Sequence, residues 1–310
     1  MKLLVITNDY KYSTFRQGIY FLLSELNKLV DLVIWTGKED NIQNILAQLK
    51  ITPDFILIWE YFETKSSAVT GLSELSIPYA ISLHDLHCDT ESRIELIRSE
   101  KIKNIISIYR DAFYEMYPDF TDNMYWFPHH ANTNIFKDYK LPKDINYLLM
   151  GEVNSYYPLR QKILKTMNGK PGFVYHPHPG YRNFSQNERI LVRKRYAREI
   201  NRAKIFFTCD SILHYPVSKY YEIPACKTLL LAPTSKEIEN LGFIPGVHFV
   251  DINEDNFVEK AEYYLTHEKE RMKIAKQGYK MVRKRHSTEQ RAADLVEIIN
   301  KIINSDNKVM

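Results

Sequence analysis

Residues 214–249 read HYPVSKYYEIPACKTLLLAPTSKEIENLGFIPGVHF, and this stretch decides the fold of the chain. A polar segment that contains Lys219 and Glu222 leads through a turn of small residues into the apolar run from Thr228 to Ala232. This order predicts a helix whose first turn carries a cation and a carboxylate, followed by a buried strand. Alternation of helices with buried strands is typical of an α/β fold with parallel sheets.

The spacing of Lys219 and Glu222 also predicts a chemistry. Residues three apart on a helix lie on the same face, one turn from each other. A carboxylate there can accept two hydrogen bonds from a vicinal diol such as a ribose, and the lysine can face a phosphate. The N-terminus of the helix itself favours an anion. Ribose together with diphosphate describes a nucleotide-sugar.

The run from Lys219 to Cys226 resembles the donor-binding signature of group 1 glycosyltransferases, particularly their CgeB-like branch, which is associated with spore maturation. That signature has Arg or Lys, two residues, Glu, two residues and Ala-Cys or Ala-Ala before an apolar strand. Residues 128–136, PHHANTNIF, are similar to the interdomain segment of these enzymes. Residues 262–292 look like their C-terminal part, including the pair His286 and Ser287.

The resemblance implies the GT-B fold, which is α/β with two facing Rossmann-like domains and a C-terminal helix that crosses back to the N-terminal domain. It implies an N-terminal acceptor domain of residues 1–136 joined by the helix 288–310, and a C-terminal donor domain of residues 137–287. The implied activity is transfer of a sugar from a nucleoside-diphosphate sugar, by default a UDP-sugar, to a hydroxyl acceptor. The implied enzyme is a hexosyltransferase, and the nucleotide-sugar is a co-substrate, so no cofactor is expected. No metal is chemically required if Lys219, Arg160 or Arg182 and helix dipoles stabilise the departing diphosphate.

Apolar runs that read as strands recur along the chain and restart after the polar linker 137–144. The predicted strands are Leu3 to Ile6, Leu32 to Trp35, Phe55 to Trp59, Tyr79 to Leu83, Ile105 to Ile108, Tyr147 to Met150, Phe173 to Tyr175, Ile205 to Thr208, Leu229 to Leu231 and Phe249 to Asp251. Predicted helices between them include a basic one from Glu188 to Arg202 and a terminal one from Glu289 to Ile303. Capping boxes are predicted at Thr14 with Gln17 and at Ser287 with Gln290.

Composition agrees with a globular chain of two domains. The 310 residues are 45% apolar and 26% charged, and the net charge is +4 from 42 basic and 38 acidic residues. Three widely spaced cysteines form no disulfide or zinc pattern, which favours the cytoplasm. We expect neither a signal peptide nor a membrane span. With ten glycines, the chain has neither a GxGxxG motif nor a Walker loop, which argues against dinucleotide and P-loop chemistry.

Ligands of open α/β sheets bind beyond the carboxyl ends of the strands, so the donor is expected at those ends in the second domain. Gly151 ends its first strand and lets backbone amides approach a diphosphate, and arginine pairs with phosphate bidentately. His214 lies eight positions before Glu222, where the resemblance implies the first glutamate of a Glu-x7-Glu pattern. The predicted donor-binding residues are Glu222, Lys219, His214, Gly151, Arg160, His178, Arg182 and Tyr221.

Catalytic and acceptor-binding residues are expected at the strand ends of the first domain. His84 and Asp85 follow its fourth predicted strand, and either can serve as the base for the acceptor hydroxyl. Asp85 can instead cap a turn. Trp59 with Glu60 offers an aromatic ring and a carboxylate for a sugar. The predicted acceptor-binding residues are Asn8, Asp9, Trp59 and Glu60.

Several alternatives stay open on the sequence alone. The resemblance implies retention of configuration, whereas histidine at position 214 and a base at residue 84 or 85 suit inversion. The acceptor can be a polysaccharide, a glycolipid, a protein or a modified base in DNA, and the DNA alternative requires a basic groove. A third alternative is a non-catalytic nucleotide-sugar-binding module. The four histidines at 129, 130, 176 and 178 have no cysteine or carboxylate that would complete a zinc motif, so no metal site is expected.

Overall fold

The computed structural model describes residues 1–11, 13, 17–61, 69–185 and 188–306. The chain divides into two compact units, each built on a fully parallel β-sheet. The first unit is formed by the described residues within Met1–Tyr12, Ile19–Pro128 and Arg291–Met310. The second is formed by those within Ser13–Gly18 and His129–Gln290.

The first unit has a six-stranded sheet. Its strands are β1 (Lys2–Ile6), β2 (Asp31–Trp35), β3 (Phe55–Ile58), β4 (Tyr79–Leu83), β5 (Ile105–Ser107) and β6 (Met124–Trp126). Their order in the sheet is β2-β1-β3-β4-β5-β6. The run FILI of β3 is buried at every position, as expected for a central parallel strand with both faces covered. The edge strand β2 is partly exposed.

Helices connect these strands and cover the sheet. They are α1 (Gln17–Leu26), α2 (Ile42–Leu49), α3 (Thr90–Ser99) and α4 (Arg110–Met116), with 3-10 turns at Leu72–Glu74 and Pro118–Asn123. Asn41 caps α2 by accepting hydrogen bonds from the amides of Gln43 and Asn44. A terminal helix, labelled α11 below, contributes Leu295, Ile299 and Ile302 to the core of this unit.

The second unit has a five-stranded sheet. Its strands are β7 (Ile145–Gly151), β8 (Phe173–Pro177), β9 (Ala203–Phe207), β10 (Leu229–Ala232) and β11 (Val250–Asp251), in the order β11-β10-β9-β7-β8. Its helices are α5 (Pro158–Met167), α6 (Arg193–Arg202), α7 (Lys219–Ala225), α8 (Lys236–Asn240), α9 (Phe257–Thr266) and α10 (Glu268–Arg285). The terminal helix α11 (Thr288–Asp306) belongs to the first unit from Arg291 onward. The core between sheet and helices includes Ile163, Phe207 and Leu231.

The α/β fold class with parallel sheets is confirmed, and every predicted strand is present within about one or two residues. Strand β6 was not predicted, because its run Met124–Trp126 is only three residues long. The basic helix begins at Arg193 rather than Glu188, since Arg193 has a φ of +52°, which a right-handed helix interior does not allow. The terminal helix extends to Asp306.

Two smaller predictions also have outcomes. The capping box at Ser287 is present in part, since the Ser287 hydroxyl accepts a hydrogen bond from the amide of Gln290 at 3.2 Å. The box predicted at Thr14 lies outside the described residues. Within the described part of the chain, no helix combines the length and the apolarity that crossing a membrane requires.

Candidate functional site

Two cations of the second unit converge on Gly151, the last residue of β7. A Cβ placed on Gly151 would lie 3.1 Å from Nζ of Lys219 and 3.7 Å from a terminal guanidinium nitrogen of Arg160. Lys219 is the first residue of α7, and Arg160 lies in the first turn of α5. Gly151 has a φ of +118°, which favours glycine. The missing side chain therefore leaves room directly beside both charges.

Arg160 is fixed by the ends of two neighbouring strands. Its side chain is 2% exposed and donates hydrogen bonds to the carbonyl oxygens of Glu152 and Cys209, at 3.2 and 3.0 Å, and to the hydroxyl of Thr208 at 3.2 Å. The guanidinium lies over the ring of Tyr157, 3.8 Å from its centroid. All of these partners are neutral, so Arg160 is held in place while its positive charge stays uncompensated.

Lys219 has another cation, Arg160, as its neighbour. Burial lowers the pKa of Lys219 to about 8, and the charge of Arg160 acts in the same direction, while Glu222 acts against it. Neither Lys219 nor Arg160 has a carboxylate oxygen within 4.0 Å in the ranges that the structure describes. Because buried charges are normally paired, two adjacent unpaired cations indicate a site for an anion.

Glu222 lies one turn after Lys219 on α7 and is partly buried. Burial raises the pKa of Glu222, and the positive charge of Lys219 and a hydrogen bond from Tyr196 oppose that rise. The Tyr196 hydroxyl donates to Oε2 of Glu222 at 3.2 Å. Tyr196 belongs to α6 and orients the carboxylate from a second helix. The predicted pairing of Lys219 and Glu222 on one helix face is therefore present.

His178 lies near this pair of cations. Burial lowers the pKa of its imidazole, and the charge of Lys219 adds to the effect, whereas Glu152 opposes it. The Nδ1 atom of His178 accepts a hydrogen bond from the amide of Gly180 at 3.1 Å, and its ring contacts Tyr181. His178 is thus brought to the same sheet edge as Gly151, as predicted.

Three other predicted donor residues have different surroundings. Arg182 is exposed and pairs bidentately with Glu188, with nitrogen–oxygen distances of 3.2 and 2.5 Å. The side chain of His214 is 82% exposed, and its Nδ1 lies 2.9 Å from Oδ2 of Asp210. Tyr221 is fully buried, and its ring contacts those of Phe243 and His286. The structure places none of these three side chains against Gly151.

A second polar cluster lies at the strand ends of the first unit. Asn8 donates a hydrogen bond to the hydroxyl of Tyr10 at 3.2 Å, and that hydroxyl donates to Oε2 of Glu60. Oε1 of Glu60 lies 3.4 Å from Nδ1 of His84. The Trp59 ring contacts the His84 ring edge-on, with centroids 5.3 Å apart. Four predicted residues, namely Asn8, Trp59, Glu60 and His84, are therefore brought together after β1, β3 and β4.

Asp85 and Asp9 have more exposed positions. Asp85 has a φ of +43°, and its carbonyl accepts hydrogen bonds from the amide of Cys88 and from Arg93. Asp9 accepts a hydrogen bond from the amide of Lys11 at 3.0 Å and so caps the turn that follows β1. Both carboxylates lie in turns that follow strands of the first sheet.

Sequence reasoning missed Tyr196 and Tyr10, which hold the two key carboxylates. Tyr196 precedes Glu222 by 26 positions and Tyr10 precedes Glu60 by 50, so no local pattern links either pair. Among the described residues, no group of three or more histidine, cysteine, aspartate or glutamate side chains is arranged to hold a metal ion.

Comparison with known proteins gives a family match over part of the chain. Residues 160–297 match the model of the family described as "Glycosyl transferase-like". The matched stretch is similar to glycosyltransferases of that family. It contains Arg160, Lys219 and Glu222, three of the predicted donor-binding residues. No protein of curated function matches the chain in sequence.

Solved structures show the fold of the whole chain. Sucrose-phosphate synthase from Thermosynechococcus elongatus matches with a TM-score of 0.68 at 11% identity, over 98% of this chain and 100% of that one. HepE from Anabaena, solved in complex with UDP and glucose, matches with a TM-score of 0.64 at 9% identity, over 97% and 100%. A glycosyltransferase from Rickettsia africae gives 0.61 at 9% identity, over 97% and 98%. The predicted GT-B fold is confirmed, and the CgeB-like branch stays a prediction.

Proposed function

We propose that the chain transfers a sugar from a nucleoside-diphosphate sugar to a hydroxyl acceptor, and that its second unit binds the donor. The observation that carries the proposal is the pair of cations, Arg160 and Lys219, that converge on Gly151 without a carboxylate partner. A diphosphate fits this place because it supplies the missing negative charge and the glycine leaves room for it. Each charge-assisted hydrogen bond formed there contributes about 1.5–3 kcal/mol.

Glu222 is proposed to bind the ribose of the donor. Its carboxylate lies one helical turn from Lys219 and is oriented by Tyr196, so that a diol and a diphosphate can be bound side by side. His178 is the proposed neighbour of the phosphates or the base. UDP is the proposed nucleotide, and the complexes of HepE with UDP and with UDP-glucose support this choice by likeness of fold.

The proposed chemistry needs no metal ion. Departure of the diphosphate leaves negative charge on its oxygens, and the charges of Lys219 and Arg160 are positioned to stabilise that charge. Arg160 is already held by three hydrogen bonds, so little reorganisation is required during the reaction. The metal-independent course stays a proposal that rests on these two side chains.

The first unit is proposed to bind the acceptor and to supply the base. Of the two predicted catalytic residues, His84 lies beside a carboxylate and an aromatic ring, whereas Asp85 lies in an exposed turn. His84 is therefore the proposed base. A base at His84 favours inversion, and the family resemblance favours retention. The anomeric configuration of the product decides between them. The three cysteines are unpaired, which supports the cytoplasm as the proposed location.

A thermal-shift panel tests the donor site. UDP, GDP, ADP, TDP and their common sugar conjugates are added to the wild type and to Glu222→Ala. We expect one nucleotide series, UDP by preference, to stabilise the wild type. A ligand at 100 times its Kd adds about 2.7 kcal/mol to the free energy of unfolding. The same ligand should stabilise Glu222→Ala less. If no nucleotide stabilises the wild type, the proposed donor site is wrong.

A further inference from the structure

The exposed face of α10 carries charges of one sign. This helix has 18 residues, of which eight are basic and two are acidic. Residues three or four positions apart lie on the same face of a helix. Five exposed lysines follow that spacing, and together we call them the lysine stripe: Lys269, Lys273, Lys276, Lys280 and Lys284. At 1.5 Å per residue, the stripe is about 22 Å long.

The opposite face of α10 is fixed in the second unit. Its buried residues include Ile274, Ala275 and Val282, and the first two belong to the core of that unit. Burial of this face determines which side of the helix is exposed. The lysine stripe is therefore held in one direction, and α10 cannot rotate it away without losing its packing.

The lysine stripe has no counter-charge in the ranges that the structure describes, where no carboxylate oxygen lies within 4.0 Å of its ammonium groups. The two acidic residues of α10 have other partners. Glu268 lies 3.5 Å from Arg271, and Glu270 accepts a hydrogen bond from the Tyr263 hydroxyl. Like charges three or four positions apart destabilise a helix, so the stripe does not serve the stability of α10.

The rest of the second unit adds charge of the same sign. Residues 129–290 contain 27 basic and 17 acidic residues, whereas the remainder of the chain contains 15 basic and 21 acidic residues. The excess of positive charge thus lies in the part of the chain that contains the stripe. Such a charge distribution attracts an anionic partner before contact and increases the rate of association.

We propose that the lysine stripe binds the second unit to the surface of an anionic lipid membrane. Clusters of four to eight basic residues on an amphipathic helix are typical of such binding. The same face of α10 also carries Gln277 and Arg283, which are polar, so the contact is electrostatic and requires no insertion of apolar side chains. This proposal does not rest on the proposed transfer of a sugar.

A flat layer of head groups fits the stripe better than a nucleic acid does. A straight row of about 22 Å can contact a flat surface along its whole length. The phosphate backbone of a duplex turns through more than half of its pitch of about 34 Å over the same distance. Lysine is a point charge on a flexible stem, whereas arginine matches a single phosphate in fixed geometry. A row of lysines alone therefore suits mobile lipid phosphates.

Co-sedimentation of the full chain with lipid vesicles tests the proposal. One set of vesicles is pure phosphatidylcholine, and the other contains equal parts of phosphatidylcholine and phosphatidylglycerol. We expect the wild type to bind the anionic vesicles at about 0.1 M salt and to be released at about 1 M salt, where the Debye length falls from about 10 to 3 Å. It should not bind the neutral vesicles. The salt dependence requires no variant.

Two triple variants locate the contact. Lys276→Gln, Lys280→Gln and Lys284→Gln together remove three charges of the stripe. We expect the partition coefficient on anionic vesicles to fall about fivefold for each lysine and about 100-fold for all three. The melting temperature of this variant should equal or exceed that of the wild type, because repulsion within α10 is reduced.

The matched control removes the same charge from three scattered lysines, and it combines Lys38→Gln, Lys103→Gln and Lys165→Gln, all at exposed positions. Its partition coefficient should fall less than fivefold. Absence of binding to anionic vesicles, or an equal loss in both triple variants, would overturn the proposal. A duplex oligonucleotide that binds more tightly than the vesicles, and is released by the stripe substitutions, would show that the partner is a nucleic acid instead.

Discussion

Lys219 is the residue on which the donor site depends most, because its charge is easily lost. Burial and the neighbouring Arg160 bring its pKa to about 8 from the ordinary 10.5. A bound diphosphate would favour the protonated form, since an opposite charge nearby raises the pKa of an amine. Binding of the anion and protonation of Lys219 are therefore linked, and the link gives a testable dependence on pH.

We expect the affinity for UDP to fall as the pH rises through about 8. The protonated form of Lys219 binds phosphate, and it is the main form below that pH, so the Kd should increase about tenfold between pH 7 and pH 9. Isothermal titration at several pH values measures this. Lys143 also has a pKa near 8, but its ammonium is bonded to Asn201, Ala203 and Thr228. In Lys219→Gln the binding should be weak and independent of pH. A flat profile for the wild type would contradict the role of Lys219.

At the residue scale, sequence reasoning succeeded where the chemistry follows from local spacing. Lys219 and Glu222 lie three apart on one helix, and Gly151 ends a strand that the apolar pattern predicts. It could not find Tyr196, because α6 reaches Glu222 only through the tertiary fold. It also could not tell that Arg182 pairs with a nearby glutamate in its own loop.

At the scale of elements, α10 supports the helix that carries Lys219 and Glu222. A Cβ on Gly278 of α10 would overlap the carbonyl oxygen of His248 and would lie 3.2 Å from Cβ of Pro224, within α7. Gly278 therefore permits a close approach of the two helices. This packing contacts the C-terminal turn of α7, and the N-terminal turn is held by its own backbone hydrogen bonds.

We expect Gly278→Ala to destabilise the protein by about 1–3 kcal/mol, because the added methyl group must displace backbone. The cost of displacing backbone exceeds the gain of about 1 kcal/mol that alanine brings to a helix relative to glycine. Denaturant unfolding of both proteins measures the difference. The matched control is Gly18→Ala in α1, where an added Cβ has no atom of the described residues within 4 Å and should be neutral or slightly stabilising. Equal free energies of unfolding for Gly278→Ala and the wild type would show that α10 and α7 can move apart without an energetic cost.

The start of α6 and the short strand β6 show which structural features a sequence pattern does not contain. The start of α6 was predicted five residues too early, because the charged run gives no sign that Arg193 is left-handed. The short edge strand β6 pairs with β5 through three residues whose burial is only partial. Long apolar runs such as those of β1 and β3 have a strong pattern, and they were predicted nearly to the residue.

At the scale of the whole molecule, two parallel sheets repeat one strand order, since β2-β1-β3-β4-β5 of the first sheet corresponds to β8-β7-β9-β10-β11 of the second, and the first sheet adds β6. The alternation of strands and helices predicts parallel sheets, but the order of strands follows from tertiary packing that the pattern does not contain. The packing of α11 into the core of the first unit was expected only from the family resemblance. The family match over residues 160–297 includes Arg160, Lys219 and Glu222 of the proposed donor site, and Gly151 precedes it.

The most direct test of the account is calorimetric titration of UDP and of pyrophosphate into the wild type at pH 7, into Lys219→Gln and Glu222→Gln, and into the exposed control Lys236→Gln. Because Lys219→Gln loses one charged hydrogen bond, we expect it to bind both ligands about 10- to 100-fold more weakly. Glu222→Gln should lower the affinity for UDP several-fold and leave the affinity for pyrophosphate unchanged, because only UDP has a ribose. Lys236→Gln, with a side chain that is 76% exposed, should change neither. Failure of the wild type to bind UDP, or equal binding by Lys219→Gln, would contradict the account.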